Sequence, residues 1–179
     1  MTTLALFDQR LIRSDALLRI LDIQGLPYPD ELARLAKTGR LHLVNVSGNS
    51  LLEIYPELNL HGFELTETTF SDLFTQHPMI DRMSHPSSVD FVRCFPLEQQ
   101  MAFKLAVSAA CDILRTGSCG RVFCFHGVGR APAVTLAALR CAWNLPLSDA
   151  VELIKIIRPQ AHISELSLSA AQWCWERKL

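Results

Sequence analysis

The stretch GRVFCFHGVGRAPAVTLAALRC, residues 120 to 141, constrains the fold more than any other part of the chain. It reads as a short strand ending in "RVF", a loop bearing Gly127 and Gly129, and a helix apolar nearly all round, which must therefore lie buried. Two readings compete for Cys124 at the head of that loop. One is a strand, a turn and a helix with an incidental buried thiol; the other is an anion-binding loop with a nucleophile at its base.

The rest of the chain supplies partners for such a strand and helix. From residue 28 the pattern is α/β. "YPDELARLAKTGRLHLVNVSGNS" carries a helical stripe at Leu32, Leu35 and Ala36, a stop at Gly39, then the strand "LHLVNV" closed by turn-forming "SGNS". "HGFELTE" is a second strand. Residues 66 to 90 are polar and interrupted by proline, with one helical turn near Phe70 to Phe74, and are expected to form a flap or acid-bearing insertion. "LEQQMAFKLAVSAACDILRTG" is a helix with Leu97, Met101, Leu105, Ala109 and Ile113 near the helical period and Gly117 as its stop. "LSDAVELIKIIRP" begins with Ser148 as N-cap and ends at Pro159, and "SELSLSAAQWCWERK" is an amphipathic closing helix. The expectation is a single α/β domain over residues 1–179, with a central mixed, mostly parallel sheet of four or five strands flanked by helices. Residues 1–28 are expected to contribute an extension or a first strand.

Composition narrows the function. A formal net charge of −1 with no Lys/Arg cluster gives no surface for nucleic acid or anionic lipid. No segment approaches the roughly 18 apolar residues of a membrane span, and the start lacks a signal-peptide pattern, so a cytoplasmic protein, or one delivered without a cleaved signal, is expected. The six cysteines form no C-x-x-C pair; Cys94, Cys111, Cys119, Cys141 and Cys174 read as reduced thiols and Cys124 as the chemical one. The remaining histidines, His42, His61, His77, His85 and His162, show no metal-ligand spacing, so no metal is expected. Trp143, Trp173 and Trp175 read as packing residues.

The chemistry expected of the loop follows from its layout. A strand entering a glycine-bearing turn before a helix aims backbone N–H groups at one point, with the positive end of the helix dipole behind them. Phe125, His126, Gly127, Val128, Gly129 and Arg130 would line that point, and the Arg130 guanidinium can fork onto two phosphate oxygens. A thiol in that field is expected to ionise below the usual value of about 8.5. A thiolate beside a bound phosphate suggests attack on phosphorus and a phosphocysteine intermediate.

"CFHGVGRAP" resembles the CxxGxxR signature loop of the cysteine-based protein tyrosine and dual-specificity phosphatases, and "GVGRAP" resembles the phosphatases of regenerating liver in particular. Weaker likeness runs from about residue 15 to 179, through "PYPDELARLAKTGRLHLVNVS" and "LSDAVELIKIIRP". The resemblance implies a small dual-specificity-phosphatase-like fold and a metal-independent enzyme without cofactor. It implies Cys124 as nucleophile, Arg130 as phosphate clamp, and a phosphorylated protein as partner. It also implies a general acid on a separate loop. Asp90, 34 residues before Cys124, has the spacing those families show, and "SVDF" resembles their acid loop; Asp72, Glu67 and Asp81 are the other carboxylates in range. Phosphoinositide-specific members usually carry Lys in the loop, which this chain lacks, so phosphotyrosine is the expected substrate, with phosphoserine and phosphothreonine as further candidates. The chain ends in "WERKL", without the terminal Cys box of the prenylated regenerating-liver type, so no anchor of that kind is expected.

Two residues depart from the family pattern. Phe123 stands where a His usually precedes the Cys, and Ala131 where a Ser or Thr usually follows the Arg. The hydroxyl helps the thiolate leave in the second step, so slow turnover is expected. The alternative is a pseudophosphatase that binds phosphorylated partners without turnover, and a third reading is a rhodanese-like sulfurtransferase. Cys119 and Cys94 are the candidates for a protective disulfide with Cys124.

Overall fold

A computed structural model describes residues 17, 20–37, 41–80 and 86–179. Asp81 and His85 lie outside the described residues, as do Gly39 and most of the N-terminal extension. Four strands, β1 (Leu21–Gln24), β2 (Leu41–Asn45), β3 (Phe63–Glu67) and β4 (Gly120–Phe123), form one sheet in the order β1-β4-β2-β3. Every pairing is parallel, so the mixed sheet of the sequence reading resolves into an all-parallel one among the described residues. β1 answers the open question of a first strand: it pairs with β4 through Leu21 opposite Gly120 and Gln24 opposite Phe123. That register places β4 between two neighbours, with its C-terminal end, and hence Cys124, at the centre of the sheet edge.

Among the described residues seven named helices accompany the sheet: α1 (Pro29–Ala36), α2 (Leu51–Ile54), α3 (Ser88–Cys94), α4 (Leu97–Thr116), α5 (Arg130–Ala142), α6 (Leu147–Ile157) and α7 (Glu165–Glu176). Strand residues alternate between two apolar layers, as the two-residue period of a strand requires. Val44, Val46, Val122 and Cys124 face the larger core with α4, α5, α6 and α7. Leu41, Leu43 and Phe123 face a smaller one with Leu32 of α1 and Leu51 of α2. α5 is buried along its length from Ala131 to Leu139, as an all-round apolar helix must be.

Two local expectations change. In α4 the stripe holds only at its C-terminal end: Ala109 and Ile113 are buried, but Leu97, Met101 and Leu105 are exposed, and the helix also buries Phe103, Ala106, Val107 and Ala110. Gly117 does end α4, in the left-handed conformation at φ +67°. α6 starts after Pro146, and Ser148 sits inside its first turn, bonded to Asp149 rather than capping. Residues 68–76 are anchored in the core: Phe70 and Phe74 are buried and pack with Phe95 and Phe103, and the single helical turn there is a 3-10 turn at Phe74–Gln76.

Candidate active site

Residues 124 to 129 connect β4 to α5, and their carbonyls are tied down on one side. Leu26 N–H donates to the Phe125 carbonyl at 3.3 Å, and His162 N–H to that of Val128 at 2.9 Å. Between them, Arg158 donates from Nη2 to the His126 carbonyl and from Nε to the Gly127 carbonyl, each at 3.1 Å. There is no cis peptide among the described residues. In a trans peptide the N–H points opposite to the C=O, so the amides of His126, Gly127, Val128 and Gly129 face away from these anchors. A row of outward-held carbonyls thus produces a row of donors on the other side, the layout of an anion-binding nest.

Glycine is required at one position, and at a second its missing side chain leaves room for a neighbouring segment. Gly127 adopts φ +67° and presses on β1 so closely that a Cβ would lie 2.4 Å from the Gln24 carbonyl carbon. At Gly129 the obstacle is the incoming segment: a Cβ would lie 2.6 Å from Asp72 Oδ1 and from Thr75 Cγ2.

Asp72 therefore lies directly against the loop, delivered there by the Phe70 and Phe74 anchors on either side of it. Its Oδ2 is 3.7 Å from Nε of Arg130, the first residue of α5. The Arg130 side chain is only 12% exposed and is held by a 2.6 Å bond from Nη1 to the Ser47 carbonyl. Asp72 Oδ1 and Arg130 Nε are both buried without a hydrogen-bond partner. Both atoms lie beside the loop, and leaving a buried acceptor and a buried donor without hydrogen bonds is costly.

The other carboxylates go elsewhere. Asp90 is in the first turn of α3 and lines a cleft with His77, Arg93, Cys94, Glu165 and Leu166, none of which belongs to the loop. Of the two aspartates it is Asp72, not Asp90, that touches Gly129 and Arg130 of the loop. Glu67 is fully occupied as a scaffold group, accepting from Asn45 Nδ2 and Leu51 N–H on one oxygen and from Ser50 Oγ on the other.

Cys124 itself is 1% exposed, at the end of β4 on the larger-core side. Phe123 points to the opposite face and fills the smaller core, which explains an aromatic side chain before the thiol. Ala131 is buried at the start of α5 and brings no hydroxyl to the site. Phe125 is half exposed and packs edge-on against His126 with ring centres 5.1 Å apart. All six thiols are unbridged, so neither Cys119 nor Cys94 is joined to Cys124.

Sequence reasoning missed the loop's supports, Arg158 and His162. The available signal was a basic residue ending the apolar run "VELIKII" just before Pro159, where a charged side chain must find partners outside its own helix.

No known family profile matches the sequence, and no curated protein does. Solved structures do. Human DUSP28 superposes with a TM-score of 0.62 at 20% identity, covering 89% of this chain and 93% of that one. PTPMT1 gives 0.59 at 17% identity over 89% and 91%, and Tk-PTP in its active form gives 0.55 at 20% identity over 86% and 89%. The fold is that of the small dual-specificity and protein tyrosine phosphatases.

Proposed function

We propose that this protein is a cysteine-dependent phosphatase that hydrolyses phosphotyrosine in proteins through a phosphocysteine intermediate. The observation that carries the reading is the meeting of three groups at one loop: Cys124 at its head, Arg130 at its foot, and the Asp72 carboxylate laid against Gly129. In this reading the amides of residues 125–130 and the Arg130 fork hold the three non-bridging phosphate oxygens. The Cys124 sulfur attacks phosphorus in line, and the phosphorus–oxygen bond to the tyrosine breaks as Asp72 gives its proton to the departing phenolate. Water then attacks the phosphocysteine with Asp72 as base, releasing phosphate and regenerating the thiolate. Asp72 takes the acid role in place of Asp90 because reach, not chain spacing, decides proton transfer. Ala131 gives the departing thiolate no hydroxyl, so the second step is the slow one.

A single-turnover assay tests this, with p-nitrophenyl phosphate and a phosphotyrosine peptide, EDTA and reductant present, on wild type, Cys124→Ser and Asp72→Asn. The expected result is a burst of about one product per enzyme followed by slow steady turnover. It should vanish in Cys124→Ser, and in Asp72→Asn it should slow more with the peptide than with p-nitrophenyl phosphate. Phosphopeptide binding with no burst from reduced wild type would overturn the enzyme reading and leave a phosphate-binding protein.

A further inference from the structure

His162 holds two pieces of the site at once. Its backbone N–H donates to the Val128 carbonyl of the loop at 2.9 Å, and its imidazole Nε2 lies 2.7 Å from the His77 carbonyl. A carbonyl only accepts, so Nε2 carries the proton and donates. The contact continues along the chain: Ile80 N–H donates to the Ile163 carbonyl at 3.0 Å, and Met79 pairs with Ser164 as an antiparallel bridge. The base of this clasp is fixed. Ala161 and Ile163 are buried on either side of His162, Ala161 N–H donates to the Arg158 carbonyl at 2.9 Å, and Ser164 caps α7. Residues 77–80, for their part, follow directly on the 3-10 turn Phe74–Gln76 that ends the Asp72 stretch, and Gln76 Nε2 reaches back to the Asp72 carbonyl at 3.4 Å.

We infer that His162 is a positioning residue, which holds the Asp72-bearing segment in register with the phosphate-binding loop through its two donors. Its effect on rate rests on the reading of Asp72 as the general acid. Phe70 and Phe74 fix the Asp72 stretch against Phe103 of α4, whereas His162 ties the end of that stretch to the loop itself. The distinction matters for proton transfer. A general acid works only within hydrogen-bond reach of the leaving oxygen, and a misplacement of roughly 1 Å costs on the order of 10²-fold in rate. Anchorage to the core sets where the carboxylate sits relative to α4; the clasp sets where it sits relative to the bound phosphate. The two arms are chemically separable, because the backbone makes the bond to Val128 and the side chain alone makes the bond to His77. Removing the imidazole therefore releases residues 77–80 on one side while the loop keeps its support.

The test compares the full-length wild type with His162→Ala and with His162→Gln, whose side-chain amide can still donate to a carbonyl. In hydrogen–deuterium exchange, His162→Ala should speed exchange across residues 76–80 about tenfold while α4 and α5 keep their wild-type protection, and His162→Gln should restore most of the difference. Unchanged exchange at 76–80 would overturn the clasp, and so would equal acceleration in α4 and α5, which marks a merely structural role. In the burst assay, His162→Ala should slow cleavage of the phosphotyrosine peptide about tenfold, and less with p-nitrophenyl phosphate, while inhibition by inorganic phosphate stays at the wild-type level. Added to Asp72→Asn, the same change should cost nothing further, since it acts through that carboxylate. Losses that multiply in the double variant would overturn the positioning role. A wild type with no burst would instead remove the phosphatase reading, and the exchange result would then decide the clasp by itself.

Discussion

Two stretches lead into α4, each bearing an aspartate, and they end in different places. Residues 68–76 and helix α3 are anchored by phenylalanines in one aromatic cluster: Phe70 and Phe74 in the first, Phe91 beside Phe95 and Phe103 for the second. From the first stretch the Asp72 carboxylate reaches Gly129 and Arg130; from the second, Asp90 points into a cleft against α7. α3 is further held by a bond from Phe91 N–H to Ser169 Oγ, which commits it to α7 and away from the loop. The comparison teaches that separation along the chain measures little here. A helix and its connections stand between Asp72 and α4, lengthening the sequence interval without lengthening the distance in space.

The comparison breaks most sharply at the acid. Asp72→Asn should lower the rate of phosphotyrosine-peptide cleavage by about 10²- to 10⁴-fold, the usual worth of a positioned general acid. The deficit should shrink with p-nitrophenyl phosphate, whose phenolate needs less help to leave, and an equal deficit on both substrates would deny Asp72 that role. The anchors come next. Phe74 is fully buried, and Phe74→Ala should cost about 3–5 kcal/mol of stability in chemical denaturation. A cost near zero would show that the 68–76 segment is not held by the core.

A gentler perturbation moves the carboxylate without removing it. In Gly129→Ala the new methyl must displace Asp72 or Thr75, so the burst rate should fall on the order of tenfold, about 1.4 kcal/mol of barrier, while phosphate binding persists. Unchanged burst kinetics would mean that the contact with Gly129 does not set the acid's position. The smallest effect is expected at the other aspartate. Asp90 is exposed, and Asp90→Asn should leave the burst rate unaltered and stability within about 0.5 kcal/mol. A large loss of rate there would return the acid role to α3.

The loop was readable because its logic is local. Cys124, Gly127, Gly129 and Arg130 are neighbours in sequence, and the strand before them and the apolar helix after them are each specified by adjacent residues. The two-layer α/β arrangement was readable for a similar reason, since strand alternation and helical periodicity need only short windows. The N-terminal part of the α4 stripe, Leu97, Met101 and Leu105, was misread because two apolar faces share that helix, and only packing against its neighbours chose the one with Phe103 and the alanines. Likewise nothing local marks Phe123 as facing away from the thiol; the pleat of a strand whose neighbours are already placed does that.

By itself, then, the sequence determined a strand, a glycine-bearing loop headed by Cys124 and a buried helix on an α/β frame, because local periodicity and side-chain type suffice to build them. Only the tertiary structure decided which carboxylate lies against that loop and which residues pin its carbonyls. Those are meetings between Asp72 and Gly129 and between Arg158 and Gly127. Each joins segments 30 or more residues apart, where proximity is set by how helices and strands pack rather than by any pattern within them.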